Sequence, residues 1–142
     1  MNRREAMLGV AALAGAAVAA NARADAHEHH HGLMGGALAQ AAADCIQKGQ
    51  ACLDHCLELL GKGETEMAGC AKSVNQMLAL CSAVQQLANQ NSRHLPGLAA
   101  LAMKACKECE DECQKHADKH EACKACGESC AACYQECNKV AA

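Results

Sequence analysis

The chain has 142 residues, a formal charge of −3 and thirteen cysteines, but no Trp, no Phe and a single Tyr. This length suits one small domain, and the lack of stacking aromatics and of basic runs beyond the N-terminus argues against nucleic acid as a partner. Because the bulky aromatic side chains of an ordinary core are missing, Cys, Ala and Leu must fill the interior.

Residues 1–24 have the features of an export signal. Arg3 and Arg4 are adjacent, an uncharged Ala- and Gly-rich run follows over residues 8–20, and small residues come next. The paired arginines resemble a twin-arginine signal, so we expect export, to the periplasm. A helix needs about 20 apolar residues to span a bilayer core, so this shorter run predicts no stable membrane anchor.

Residues 25–37 are rich in His and Gly, and we expect a flexible segment. Metal binding and a plain solvated tail are equally compatible with its histidines. If signal cleavage leaves Asp25 first, the terminus Asp25-Ala26-His27 offers an amine, two amide nitrogens and an imidazole, a square-planar set that suits Cu(II). The histidines of this segment are His27, His29, His30 and His31.

Residues 38–142 are expected to form four helices. The first covers 38–60 and stops at the glycines of positions 61 and 63, and the second runs from an N-cap at Thr65 to residue 87. The third has Pro96 in its first turn and ends at 117, and the fourth is capped by Asp118 with Glu121 completing a capping box. Short loops make neighbours antiparallel, which predicts an all-α, up-down-up-down four-helix bundle.

The cysteines share one face of each predicted helix. Between Cys123 and Cys137, five cysteines at intervals of three and four residues project within a stripe of about 80°. Leu or Ile normally fills such a and d positions, so thiols replace the usual core and the bundle should be cysteine-lined.

Antiparallel order assigns the predicted inward residues to the two ends of the bundle. One end, which we call the mouth, should gather His55, Cys56, Met67, Cys70, Cys113, His116, His120 and Cys123. The other end should gather Cys45, Cys81, Cys133 and Cys137. His116 and His120 suit helix caps and metal ligands equally, and we assign Met77 and Met103 to core packing.

Disulfides are one explanation for so many cysteines, since export makes oxidation available. An odd number cannot pair fully within one chain. Cysteines one helical turn apart hold their Cβ atoms about 5–6 Å from each other, whereas a disulfide needs about 3.8 Å. Bridges between helices stay possible, so a disulfide-stapled bundle is kept as an alternative.

Zinc binding and thiol redox chemistry are two further alternatives. Three Cys-x-x-Cys pairs start at Cys106, Cys123 and Cys130, but they lie inside regular helical periodicity, which we expect not to close into four-sulfur zinc sites. The bacterial iron–sulfur spacing is absent, and a thioredoxin-like site needs a βαβ setting. The sequence places no nucleophile beside a base, so we expect binding without catalysis.

Copper(I) fits the pattern best, because it is a soft ion that selects thiolate and thioether ligands and is satisfied by as few as two sulfurs. Two cysteines one helical turn apart can bind such an ion between them. Without metal, protonated thiols behave as small hydrophobes, so the bundle can fold before copper arrives.

Residues 38–142 resemble the bacterial copper storage proteins, in particular their exported branch. The likeness is carried by the run Cys-Leu-Asp-His-Cys at 52–56 and by the cysteine repeats at 106–113 and 123–137. It implies a homotetramer that stores many Cu(I) ions, for supply to copper-dependent enzymes or for detoxification. It also implies His55 and Met67 as ligands at the mouth, although Leu59 and Lys62 stand where more Met is expected. The thirteen implied thiolate ligands are Cys45, Cys52, Cys56, Cys70, Cys81, Cys106, Cys109, Cys113, Cys123, Cys126, Cys130, Cys133 and Cys137.

Overall fold

The computed structural model describes residues 35–141, and within them every regular element is helical. Helix α1 spans Gly35–Gly61, α2 spans Ala68–Asn89, α3 spans Leu95–Gln114 and α4 spans Glu121–Val140, and one turn of 3-10 helix, Thr65–Met67, precedes α2. Among the helices of residues 35–141, none combines the length and the hydropathy that a membrane span requires. The expected export signal and the histidines at 27–31 lie outside the described residues.

The four helices pack as a square. Helices α1 and α3 each pack against both α2 and α4, and within residues 35–141 no Cα atoms of a diagonal pair of helices approach within 8 Å. Neighbours are antiparallel: Cys45 and Cys52 of α1 lie beside Cys130 and Cys123 of α4, respectively. The predicted all-α, up-down-up-down four-helix bundle is therefore confirmed.

Two helices end in the same backbone motif. After α1, the Glu64 N–H donates to the Leu59 carbonyl and the Gly63 N–H to the Leu60 carbonyl, a Schellman motif with Gly63 at φ +92°. Asn91, at φ +48°, takes the equivalent place after α2. The predicted glycine stop is confirmed at Gly63, where the left-handed backbone favours a residue without Cβ.

Both predicted N-caps are wrong. Thr65 begins the 3-10 turn, which shifts the start of α2 to Ala68 without a side-chain cap. The third helix ends at Gln114 rather than 117, because the following residues form turns closed by i to i+3 hydrogen bonds. Asp118 lies inside that connection, and the extended residue before α4 is His120, which makes no side-chain cap hydrogen bond.

The first helix starts three residues earlier than predicted, at Gly35. A Cβ at this position would lie 2.9 Å from the Ala88 carbonyl oxygen, so the glycine allows the first turn of α1 to approach the end of α2 closely. Tertiary contact therefore extends the helix through residues that are poor helix formers.

Aliphatic side chains close the end of the bundle opposite the mouth. Leu38 begins the core of α1, Leu95 begins α3, and Val84 and Val140 lie near the ends of α2 and α4. All four are buried, and antiparallel order brings them together beyond the last cysteines. We call these four residues the aliphatic plug.

Gly63→Ala should lower the free energy of unfolding by about 1 kcal/mol, because a residue with Cβ resists the left-handed conformation. Gly61 provides the matched control, since it is helical and a Cβ there would meet nothing within 4 Å. Gly61→Ala should therefore be neutral or slightly stabilising. Urea unfolding of the reduced apo-protein measures both; equal effects would contradict the assignment of the motif.

Candidate metal centre

All thirteen cysteines are free thiols with side chains directed into the bundle. Each has an exposed fraction of 0%, although several lie within two turns of a helix end. The thiols make most of the side-chain hydrogen bonds between helices in the core, at Sγ–Sγ distances of 3.6–3.9 Å. The predicted cysteine-lined interior is therefore what the structure shows.

Four thiols form a cluster just inside the mouth, which we call the mouth quartet: Cys52, Cys56, Cys70 and Cys123. Their Sγ atoms all lie within 4.8 Å of one another. Cys52 is central, because its Sγ is 3.8 Å from that of Cys70 and 3.8 Å from that of Cys123. Helix α1 thus supplies two thiols one turn apart, and α2 and α4 supply one each.

A second cluster, the far quartet, lies toward the aliphatic plug and contains Cys45, Cys81, Cys106 and Cys133. Each helix contributes one thiol, and the same 4.8 Å limit holds for every pair. Cys81 Sγ lies 3.6 Å from Cys106 Sγ and 3.9 Å from Cys133 Sγ. The sequence placed Cys45, Cys81 and Cys133 at this end but did not place Cys106 there.

Thiols between the two quartets join them into one continuous set. Cys45 Sγ lies 3.6 Å from Cys130 Sγ, and Cys70 Sγ lies 3.7 Å from Cys113 Sγ. Cys137 is buried one turn beyond Cys133 on the same face of α4, so it continues the row of thiols toward the aliphatic plug. Two triads with mutual Sγ distances within 4.8 Å fill the middle: Cys52, Cys113 and Cys126, and Cys109, Cys126 and Cys130.

The expectation that helical spacing would not close into four-sulfur groups is wrong. One helix offers only a row of thiols, but residues at the same level of different helices complete each quartet. Zinc–thiolate bonds of about 2.3 Å in a tetrahedron separate the sulfurs by about 3.8 Å. Each quartet is therefore compact enough for a tetrahedral ion as well as for bridged copper.

Protonation in the mouth quartet is uneven. Burial raises the pKa of the Cys123 thiol to about 11, and a charge on Cys70 adds to this rise. Burial also raises the pKa of Cys56, again with a contribution from Cys70. Hydrogen bonds from Cys113 and Cys52 lower the pKa of Cys70 to about 3, so this thiolate is stabilised by thiols that stay protonated. Metal binding must displace the protons of those neighbours.

Histidines lie at the mouth, outside the quartet. His55 Nε2 is 3.0 Å from His120 Nδ1, and both rings are half-buried. The His116 ring lies beside His120, with centroids 6.5 Å apart. His120 occupies the N-cap position of α4, but its side chain makes no cap hydrogen bond and contacts His55 instead. The pair of imidazoles presents nitrogen ligands at the entrance to the thiols.

The remaining residues considered at the mouth differ in whether they can provide a metal ligand. Met67 is fully buried at the start of α2, on the inner side of the bundle. Leu59 is buried and apolar, and Lys62 is paired with Glu58 at 2.6 Å on the surface. Neither position that lacks the expected methionine therefore contributes a metal ligand.

Met77 is a sulfur side chain that the sequence assigned to core packing. It is fully buried, and the Cys45 S–H donates to Met77 Sδ at 3.3 Å. Its position four residues before Cys81, on the cysteine face of α2, is the sequence feature that indicates a place among the thiols.

Known proteins share this architecture. Copper storage protein 3 from Bacillus subtilis, in its apo form, is 28% identical, with a TM-score of 0.65 over 75% of this chain and 97% of that chain. The Cu(I)-bound copper storage protein BsCsp3 is 26% identical, with a TM-score of 0.69 over 78% of this chain and 100% of that chain.

A third structure matches in fold. The copper storage protein Ccsp from Streptomyces lividans, loaded with 10 copper equivalents, is 23% identical, with a TM-score of 0.67 over 79% of this chain and 92% of that chain. No curated protein sequence matches the chain. Residues 32–142 match the family described as copper storage protein, which covers the whole bundle. The chain therefore belongs to the copper storage protein family.

Proposed function

We propose that this chain binds and stores many Cu(I) ions through its inward-facing thiolates, for supply to copper-dependent enzymes or for protection against free copper. The observation that carries the proposal is the continuous set of thirteen buried, free thiols. The family match supports it, as does the likeness to a Cu(I)-bound relative.

Copper(I) suits the spacing and the charge of this core. With Cu–S bonds of about 2.2 Å, close to zinc–thiolate lengths, one bridged ion separates two sulfurs by about 4–4.5 Å. The apo thiols already lie 3.6–3.9 Å apart, so small rotamer changes are enough. Each Cu⁺ offsets one thiolate, so a filled core stays near neutral despite its burial.

All thirteen cysteines act as ligands in this proposal, and His55 and Met67 complete the set at the mouth. The support for His55 is its half-buried ring immediately outside the mouth quartet, paired with His120. The support for Met67 is its full burial at the same end. A nitrogen and a thioether ligand there would hold an incoming ion before it reaches the thiols.

We propose binding without catalysis. A thiol oxidoreductase needs a reactive cysteine that its substrate can reach, whereas every cysteine here has an exposed fraction of 0%. The thiols also form one extended set rather than a single privileged pair. A storage protein can use all of these thiols as ligands, whereas a thiol oxidoreductase needs only one reactive pair.

Zinc is a second candidate metal, because each quartet has the size of a tetrahedral four-sulfur site. Zinc would occupy eight of the thirteen thiols and leave five free. Copper bridging uses all of them. The two candidates therefore differ in the number of ions and in the thiols left over.

Anaerobic titration of the reduced protein with Cu(I) should reach saturation on the order of thirteen ions per chain, because bridging balances copper and sulfur one to one. Thiol reagents should then find no reactive cysteine. Saturation at three or four equivalents, with other thiols still reactive, would refute the continuous set. A parallel zinc titration should stop at about two equivalents, the number of quartets.

His55→Ala should slow Cu(I) uptake from a chelator by about tenfold or more, as expected when a metal contact is removed, while capacity changes by no more than one ion. His94→Ala is the matched control, because His94 is an exposed histidine at the opposite end of the bundle. Stopped-flow measurement of chelator absorbance gives both rates. Equal rates for the two variants would contradict an entrance at His55.

We also propose export through the paired arginines and assembly into a homotetramer. The arginine pair and the apolar run support export, and the exposed Leu57 and Leu101 provide apolar contacts for neighbouring chains. The full chain expressed in a bacterium should yield a periplasmic protein that is cleaved before residue 25. Light scattering of the purified protein should give the mass of four chains. Replacing Arg3 and Arg4 with Lys should retain it in the cytoplasm. An uncleaved or monomeric product would overturn the corresponding part.

A further inference from the structure

Cysteines are unevenly distributed around the middle of the bundle. Helices α3 and α4 supply the middle triad of Cys109, Cys126 and Cys130. Helix α1 has no cysteine between Cys45 and Cys52, and α2 has none between Cys70 and Cys81. The thiol set therefore has a gap on the α1 and α2 side, between the mouth quartet and the far quartet.

Met77 fills this gap. It lies one turn before Cys81 on the inner face of α2, and its side chain is fully buried. Its Sδ accepts a hydrogen bond from the Cys45 thiol at 3.3 Å, the shortest sulfur–sulfur hydrogen bond among the described residues. Cys45 belongs to the far quartet and in turn contacts Cys130 of the middle triad, so the thioether lies one thiol away from that triad.

Gly49 provides the space for this side chain. It is a buried glycine in the middle of α1, between Cys45 and Cys52, where glycine weakens a helix relative to alanine. A Cβ at this position would lie 2.6 Å from Met77 Cε and 2.9 Å from Leu78 Cδ2. Gly49, which lowers helix stability relative to Ala, is therefore present at the position where the Met77 side chain packs against α1.

We propose that Met77 is a Cu(I) ligand, a sulfur in addition to the thirteen thiolates and Met67, which closes the gap on the α1 and α2 side. The proposal rests on copper storage as the function. When an ion binds, the Cys45 S–H bond breaks and its proton leaves to solvent, and Cu⁺ takes the place of that proton between the thiolate and Met77 Sδ. No electron is transferred, because copper enters as Cu(I).

A thioether at this place differs from another thiolate in charge. Met77 carries no proton to displace and adds no negative charge, so the thirteen thiolates alone set the number of ions that the core can neutralise. The ligand strengthens the hold on a bridging ion without changing the count. Removal of Met77 should therefore alter coordination and leave capacity nearly unchanged.

The test uses full-length, selenomethionine-labelled protein loaded with Cu(I), studied by X-ray absorption at the selenium edge. A Met67→Leu background removes the other proposed thioether ligand, and Met77→Leu or Met103→Leu is added to it. Leu replaces Met at similar volume, so the fold is kept. Met103 is the matched control, because it is a half-buried methionine of α3 packed against the core.

We expect a selenium–copper distance of about 2.4 Å, slightly longer than a metal–sulfur bond, in the Met67→Leu protein and its Met103→Leu derivative. The signal should be lost in the Met77→Leu derivative, with capacity retained. An equal signal with and without Met77, or none in any variant that binds copper, would overturn the proposal while copper storage stands. Failure of every variant and of the wild type to bind several ions would instead refute the function itself.

Discussion

The structure depends on one property of the thiol group, which changes its physical character with protonation. A protonated thiol is a small hydrophobe that can replace Leu or Val in a helical core. A thiolate is a soft ligand for a soft ion. Here thirteen such groups occupy the positions that ordinarily stabilise a bundle, so the fold and the metal store are built from the same atoms. Copper can therefore replace protons in a core that is already folded. The exchange keeps the core neutral because Cu⁺ carries the same single positive charge as the proton that it displaces.

Antiparallel packing converts a spacing along the chain into clusters in space. Within a helix, intervals of three and four residues produce only a row of thiols. Where four rows meet, the far quartet takes one thiol from each helix, whereas the mouth quartet takes Cys52 and Cys56 from α1. The clusters are linked by short contacts such as that between Cys45 and Cys130. An ion bound at one level thus always has further sulfur ligands at the next, which suits a store better than isolated sites would.

Much of this arrangement could be predicted from the sequence, because helical periodicity determines which face of a helix is buried. The fold, the inward cysteines and the meeting of His55 with His120 at the mouth all follow from faces and chain direction. Periodicity does not determine the axial level of a residue on one helix relative to the next. For that reason the quartets, the place of Cys106 and the contact of Met77 with Cys45 were not predicted. The N-caps predicted at Thr65 and Asp118 were wrong for another reason. Tight turns before α2 and α4 determine where these helices start, without side-chain cap hydrogen bonds.

The aliphatic plug gives the core the topology of a blind tube. Leu38, Val84, Leu95 and Val140 offer neither charge nor a ligand atom, so copper has no route past them comparable to the histidine-lined mouth. If copper enters and leaves at the mouth, as we propose, each ion must pass through the mouth quartet in both directions. The order of release is then the reverse of the order of filling, as in a stack. Copper near the mouth exchanges with the surroundings first, and copper in the far quartet is drawn upon only after the rest has gone.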